Sequence, residues 1–253
     1  MVNVAVNNEL YDTLGDRWYT AYDDPVALLR AEGKARNPWA QRVIAEKLGS
    51  GAHRVLDLGC GAGFLTNYLA TQGHEVTGLD LSESSLAVAR AHDGTQRVSY
   101  VQGDICRAPF PDASFDVVCA MDVLEHIEDP RAMIRGAARL LRPGGLFFFH
   151  TFNRNPISGV VVIKGVEWLV KNTPPHMHVY RLFIKPRELA YYCRSVGLDV
   201  AQWVGTRPRL KPSLLKAIFT GVVPQNFEFK LMPARHAGSL SLLMGYSGYA
   251  VKK

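Results

Sequence analysis

Apolar residues fall along this chain in short continuous blocks, and stretches with helical spacing separate the blocks. Val55-Leu56, Val117 to Ala120 and Leu146 to Phe149 are such blocks, and Val76 to Leu79 and Val98 to Val101 are broken only by Thr77, Gly78 and Ser99. They predict strands over 54–58, 75–79, 98–102, 115–120 and 146–151. Unbroken apolar runs suit strands buried on both faces of a parallel sheet. Helices are expected over 64–72, from Ser82 as N-cap to His92, and over 130–141. Strand and helix alternate, so the expected architecture is α/β: a doubly wound sheet with right-handed crossovers. Residues 1–50 read as helical, with an aromatic-rich set of Tyr11, Trp18, Tyr19 and Tyr22. Pro38 is expected in the first turn of a helix from Trp39 to Leu48, ended by Gly49-Ser50-Gly51.

The alternation breaks after Thr151. Residues 153–183 read as an insertion, with an apolar stretch from Ile157 to Val170 interrupted by glycines and charges. The regular pattern resumes at Lys185-Pro186-Arg187-Glu188-Leu189, which opens a helix to about Val196. A sixth strand is expected over 198–205 and a seventh within 239–252. The parts are thus an N-terminal helical cap (1–50), a ligand-binding core (51–152), the insertion (153–183) and the remainder of the same domain (184–253).

Length adds that 253 residues suffice for one such domain. Charge is uneven. The net charge is +6, and residues 151–253 hold only four acids, Glu167, Glu188, Asp199 and Glu228. A basic half points to an anionic partner, nucleic acid or anionic lipid. The chain opens on no basic-plus-apolar signal segment and holds no run of 18 apolar residues, so a cytoplasmic protein is expected. Cys60, Cys106, Cys119 and Cys193 form no metal or redox spacing and read as free thiols.

The strand ending at Leu58 runs into Gly59-Cys60-Gly61-Ala62-Gly63, and Asp80 closes the next strand. This arrangement holds an adenosine-containing cofactor at the sheet edge. A dinucleotide site needs a third glycine where this chain has Phe64. Asp57, just before the turn, would oppose a pyrophosphate but suits a ligand carrying an ammonium. S-adenosylmethionine (SAM) is such a ligand. Gly59, Gly61 and Gly63 let the backbone approach it closely, and Asp80 is placed for the ribose hydroxyls. Asp104, after strand three, is a candidate for the adenine amine. Met121, closing strand four, is a candidate for packing on the adenine ring.

Asp122, Glu125 and His126 follow. On a helix they would share one face, and two carboxylates with an imidazole suit Mg²⁺, Zn²⁺ or Mn²⁺. A sulfonium methyl donor needs an acceptor with a free lone pair. A phenol provides one only after losing its proton, which a cation or a base, His126 or His150, would promote.

Three segments resemble the ubiquinone-biosynthesis O-methyltransferases: Met121-Asp122-Val123-Leu124-Glu125-His126-Ile127, Thr151-Phe152-Asn153-Arg154-Asn155-Pro156, and Phe183 to Leu189. The resemblance implies a class-I methyltransferase with a Rossmann-like, seven-stranded sheet. It also implies methylation of a phenolic or catechol hydroxyl on a polyprenylated precursor. By the same resemblance Arg36, Gly59, Asp80 and Met121 contact the cofactor, with Arg36 on its methionine carboxylate. Asp122, Glu125 and His126 match cation-linked positions, magnesium favoured. The insertion, residues 155–180 with Trp168, matches a segment that meets the membrane, which makes the enzyme peripheral on its inner face. The basic residues Arg207, Arg209, Lys211 and Lys216 add attraction for anionic lipid. A soluble phenolic metabolite is the alternative acceptor. Nucleic acid is the remoter one, since no Asn/Asp-Pro-Pro-aromatic tetrad is present. The His176-x-His178 pair fits either a metal clip or a lid closure. Oligomeric state is not written in the sequence.

Overall fold

The computed structural model describes residues 6–253, apart from the side chains of Trp168 and Leu169. Its centre is a mixed sheet ordered β3-β2-β1-β4-β5-β8-β6-β7. Strands β1 (Arg54–Leu58), β2 (Glu75–Asp80), β3 (Ser99–Gln102), β4 (Phe115–Met121) and β5 (Leu141–Phe152) pair in parallel. Strand β8 (Gly245–Lys252) slots antiparallel between β5 and β6 (Leu198–Pro208). The order reverses between β1 and β4, so the carboxyl ends of these two strands open a crevice.

The sheet has eight strands where seven were expected. The additional edge strand, β7 (Phe229–Ala234), pairs antiparallel with β6 and includes Pro233. A proline there reads against a strand in sequence, yet an edge tolerates it because one side of the ladder is unpaired.

The helices are α1 (Glu9–Thr13), α2 (Arg17–Thr20), α3 (Val26–Leu48), α4 (Phe64–Thr71), α5 (Glu83–Ala91) and α6 (Pro130–Leu140). Ser82 caps α5 as expected, accepting the Ser85 N–H at 3.2 Å. Pro38 does not start a helix: α3 runs unbroken through it for 23 residues. An interior proline costs a hydrogen bond and crowds the preceding turn. The buried face of Trp39, Ala40, Val43 and Ile44 against the sheet holds the helix together across that defect.

The insertion holds α7 (Pro156–Ser158), a π-helical stretch Gly159–Gly165 and α8 (Val166–Leu169). Asn155 caps it, accepting the Ile157 and Ser158 N–H groups. After it come α9 (Pro186–Arg194) and α10 (Pro212–Thr220). The apolar run in β5 explains the layers. Phe147 and Phe149 join the core that includes α6 and α9, while Phe148 joins the core under α3 and α4. Among the described residues, no helix is long and apolar enough to cross a membrane.

Candidate active site

The glycine turn after β1 has the backbone its sequence demands. Gly59, Gly61 and Gly63 lie at φ of 72°, 51° and 81°, all left-handed. At Gly59 a Cβ would stand 2.6 Å from Val123 Cγ2. The turn therefore packs directly on the loop that leaves β4. A cavity of about 530 Å³ lies over it.

Arg36, Asp57, Gly59, Gly61, Asp80, Asp104, Met121, Asp122 and His126 all border this cavity. Gly63 does not. It opens α4, and a Cβ on it would meet Tyr100 Oη at 2.6 Å, so its glycine serves packing rather than the cavity wall. Burial pushes the Asp57 carboxyl up to about 7, although Thr66 Oγ1 donates to it at 2.7 Å. Asp80 accepts the N–H groups of Gly61 at 2.8 Å and Ser82 at 2.9 Å. Those bonds anchor the carboxylate at the rim. Asp104 accepts the Cys106 N–H at 2.8 Å.

Asp122 and its neighbours differ from expectation. The segment is not an α-helix: Asp122 sits at φ of 60° and only a single 3₁₀ turn, Leu124–His126, follows. The left-handed residue breaks the helical face, and the three side chains separate into two groups. Asp122 turns to Arg36, which grips both carboxylate oxygens, Nη1 to Oδ1 at 2.9 Å. Burial alone would raise Asp122, but the Arg36 charge holds it well below the usual carboxylate range. Glu32 stands 3.7 Å from the same guanidinium. His150 is fully buried behind this pair. Its Nδ1 is 2.9 Å from Ser247 Oγ, and its Nε2 is 3.4 Å from Asp122 Oδ1 and 3.6 Å from Glu32 Oε1.

Glu125 and His126 turn the other way and meet His178 from the insertion. One ligand atom from each lies within 4.8 Å of the others. Neither Glu125 oxygen nor His126 Nδ1 makes a hydrogen bond of full geometry, although the Thr151 hydroxyl and the Glu125 backbone N–H lie close enough to favour the carboxylate charge. Burial, then the charge of Asp122, raises the Glu125 carboxyl. Burial lowers His126 to about 4 and His178 to about 3, so both imidazoles are neutral near pH 7. Under-partnered oxygens beside two neutral imidazoles are a donor set that fits a divalent cation. Glu32, Asp122 and His150 also cluster within 4.8 Å, but the Arg36 guanidinium already supplies their positive charge.

A second cavity, of about 180 Å³, adjoins the first. Tyr11, Leu29, Asp122 and His126 border both. Its other walls are mostly apolar: Leu28, Phe152, Val162, Met177, Phe229 and Met244. Glu32, Glu125 and His178 add polar groups to the same walls. Sequence reasoning did not find Glu32 or the double role of Tyr11. The signal for Glu32 is its i,i+4 spacing to Arg36 on one helix, and Tyr11 was visible only as one of several aromatics.

A doubly wound sheet, a glycine turn over a cavity and an acid closing β2 define a class-I, SAM-dependent methyltransferase. A methyltransferase-domain family matches residues 56–149. Solved structures agree on the fold. A possible histamine N-methyltransferase of Thermotoga maritima superposes with a TM-score of 0.61 at 19% identity, covering 94% of each chain. Magnesium protoporphyrin IX methyltransferase of Synechocystis, solved with bound S-adenosylhomocysteine (SAH), gives 0.60 at 19% identity, covering 97% of each. Among curated proteins, the ubiquinone biosynthesis O-methyltransferase of Aromatoleum aromaticum is 41% identical over 67% of this chain and 74% of its own. That of Bordetella pertussis is 39% identical over 76% and 79%. The chain belongs to the ubiquinone biosynthesis O-methyltransferase family, and it is a SAM-dependent O-methyltransferase.

Proposed function

We propose that the enzyme methylates a phenolic or catechol hydroxyl of a polyprenylated ubiquinone precursor. The observation that carries this reading is the junction of two cavities at Asp122 and His126, one glycine-floored and bordered by Arg36, Asp57, Asp80 and Asp104, the other almost wholly apolar. SAM occupies the first and the acceptor ring the second, its prenyl tail leaving along the apolar walls. Asp57 takes the ammonium group of the methionine moiety. Asp80 takes the ribose hydroxyls, Met121 packs on adenine and Asp104 receives the adenine amine. Arg36, held in place by Asp122, keeps a positive charge at the cavity wall for the methionine carboxylate.

A divalent cation held by Glu125 and His126 would lower the pKa of the acceptor hydroxyl and orient it. In this reading Asp122 serves Arg36 rather than the cation. With the cation bound the proton leaves to solvent, and without it His126, which is neutral and borders both cavities, takes it; His150, the other candidate base, is fully buried and borders neither cavity. The acceptor oxygen then attacks the methyl carbon as the carbon–sulfur bond breaks, leaving SAH. The sulfonium is already a strong electrophile, so alignment and deprotonation supply most of the rate.

The surface supports work at a lipid interface. Ile157, Val160 and Val161 of the insertion are exposed, as are Leu210, Leu215 and Phe219 around α10. Lys164, Lys171, Lys211 and Lys216 lie in the same two segments. The enzyme is thus peripheral on an anionic membrane, where a prenylated acceptor resides.

The test is methyl transfer from labelled SAM to a short-prenyl catechol, with EDTA and then with Mg²⁺ or Zn²⁺ restored. Metal-dependent product supports the whole reading. Product that ignores EDTA keeps the acceptor and assigns deprotonation to His126 alone. No product despite cofactor binding overturns the acceptor.

A further inference from the structure

We propose that His178, carried by the insertion, is the third protein ligand of a transition-metal site completed by Glu125 and His126, so that metal binding fastens the insertion over the acceptor cavity. This rests on the cation reading above and extends it to a residue, a metal class and a mechanical consequence.

The donors come from two separate parts of the chain. Glu125 and His126 sit on the turn after β4, in the sheet core. His178 lies in the irregular segment between α8 and the turn Tyr180–Leu182. The His126 and His178 rings stand 5.6 Å apart and tilted by 45°. Metal–nitrogen and metal–oxygen bonds are about 2.0–2.2 Å, so donors on one tetrahedral ion are roughly 3.4 Å apart. Donors already within 4.8 Å of each other reach that spacing by small side-chain rotations.

The surroundings fix the ring where it is needed. Phe152 meets His178 edge-on at 5.1 Å, and Phe183 lies 6.3 Å away. A carboxylate 1% exposed, with no hydrogen bond of full geometry to either oxygen and only the Thr151 hydroxyl and its own backbone N–H nearby, is under-partnered unless something binds it.

Two imidazoles and one carboxylate select a zinc- or iron-like ion over magnesium, which prefers oxygen. The same set leaves coordination positions open, and all three residues border the acceptor cavity. His176, two residues earlier, is exposed and not part of the cluster. Of the two readings of the His176-x-His178 pair, clip and lid, one residue thus performs both. Val161, Val162 and Val166 of the same insertion wall the acceptor cavity, so a ligand in this segment ties that wall to the core.

The experiment uses full-length enzyme stripped with EDTA and loaded with Co²⁺, read by visible absorption, with Zn²⁺ competition for affinity. Wild type is expected to bind one Co²⁺ with ligand-field bands of a low-coordinate site. His178→Cys should keep binding and add a thiolate-to-cobalt charge-transfer band, which no structural role would produce. His178→Phe, which fills the space, should weaken Zn²⁺ binding by about 100-fold or more. His176→Cys should add no such band. Zn²⁺ should slow proteolytic cleavage within residues 153–183 in wild type and not in His178→Phe.

A folded His178→Cys protein that binds Co²⁺ without the band overturns the proposal. So does His178→Phe with wild-type affinity, or a wild type that binds neither metal. Catechol methylation is measured on the same samples. Methylation with His178 shown dispensable for metal sinks this inference alone. Metal bound through His178 without methylation of any prenyl phenol sinks the acceptor assignment and leaves the metal clip standing.

Discussion

Arg36 and Asp122, 86 positions apart in sequence, close on each other as a two-pronged, nearly buried ion pair. The pair joins the longest helix to the end of β4, at the boundary between the two cavities. Removing one partner of a buried pair costs about 3–5 kcal/mol, because it strands the other charge. Glu32, 3.7 Å from the guanidinium, offsets part of that. Asp122→Asn is expected to lower unfolding free energy by about 2–3 kcal/mol in urea titrations. A wild-type midpoint for this variant would show that the pair is not a structural tie.

Gly59→Ala should fail for two separable reasons. The left-handed backbone costs about 1–2 kcal/mol for any side chain, and the new Cβ meets Val123 at 2.6 Å. The single variant should lose most SAH affinity, measured by calorimetry. Gly59→Ala combined with Val123→Ala should regain the part due to Val123 Cγ2, while the φ cost and the 3.0 Å approach to Val123 Cβ persist. Equal defects in single and double variants would show that the Cγ2 contact contributes nothing.

Asp57 gives cofactor binding a pH dependence with a defined sign. Its folded carboxyl titrates near 7, raised from 3.8, so it favours the folded state at low pH and loses that contribution as pH rises from about 4 to about 7. A ligand ammonium binds the ionised form. SAH affinity should therefore rise with pH between about 5.5 and 7, at most tenfold per unit. Asp57→Asn should bind more weakly and show a flat profile over that range. A wild-type slope surviving in Asp57→Asn would assign the proton elsewhere.

The exposed apolar side chains of α10 should matter only where lipid is present. Leu215 and Phe219 lie four residues apart on one face, 59% and 84% exposed. Burying each in an interface is worth about 1.5–3 kcal/mol at most. Changing both to Ser should reduce sedimentation with phosphatidylglycerol vesicles at least tenfold, while turnover of a short-chain catechol in detergent-free buffer stays near wild type. Unchanged vesicle binding would move the lipid contact away from α10.

The parts legible in sequence were those where one residue type answers a local demand. Gly59 and Gly61 advertise left-handed dihedrals, Ser82 a helix start, and the phenylalanines of β5 a strand buried on both sides. The parts that were not legible depend on distant partners. Pro38 reads as a helix start until the packing of Trp39 and Ile44 beneath the sheet is known. Strand β7 is hidden by Pro233, which only an edge position excuses. The three-residue spacing from Asp122 to Glu125 suggests one helical face, and the left-handed Asp122 cancels it. Glu32 shows in sequence only as an i,i+4 partner of Arg36, and His178 only within the ambiguous His176-x-His178 pair, so their meetings with His150, Glu125 and His126 exist only in three dimensions.

Tyr11, Leu29, Asp122 and His126 form a party wall between the cofactor and acceptor cavities. Whatever settles those four side chains for one ligand settles them for the other. The two affinities are then linked reciprocally: SAM should sharpen the grip on the acceptor by the same factor as the acceptor sharpens the grip on SAM. Spent SAH lacks the methyl group and the sulfonium's positive charge, so it keeps only the part of that coupling carried by shape. The charge lost in the reaction is therefore also lost at the shared wall beside Asp122, and methyl transfer itself loosens what the two ligands held in common.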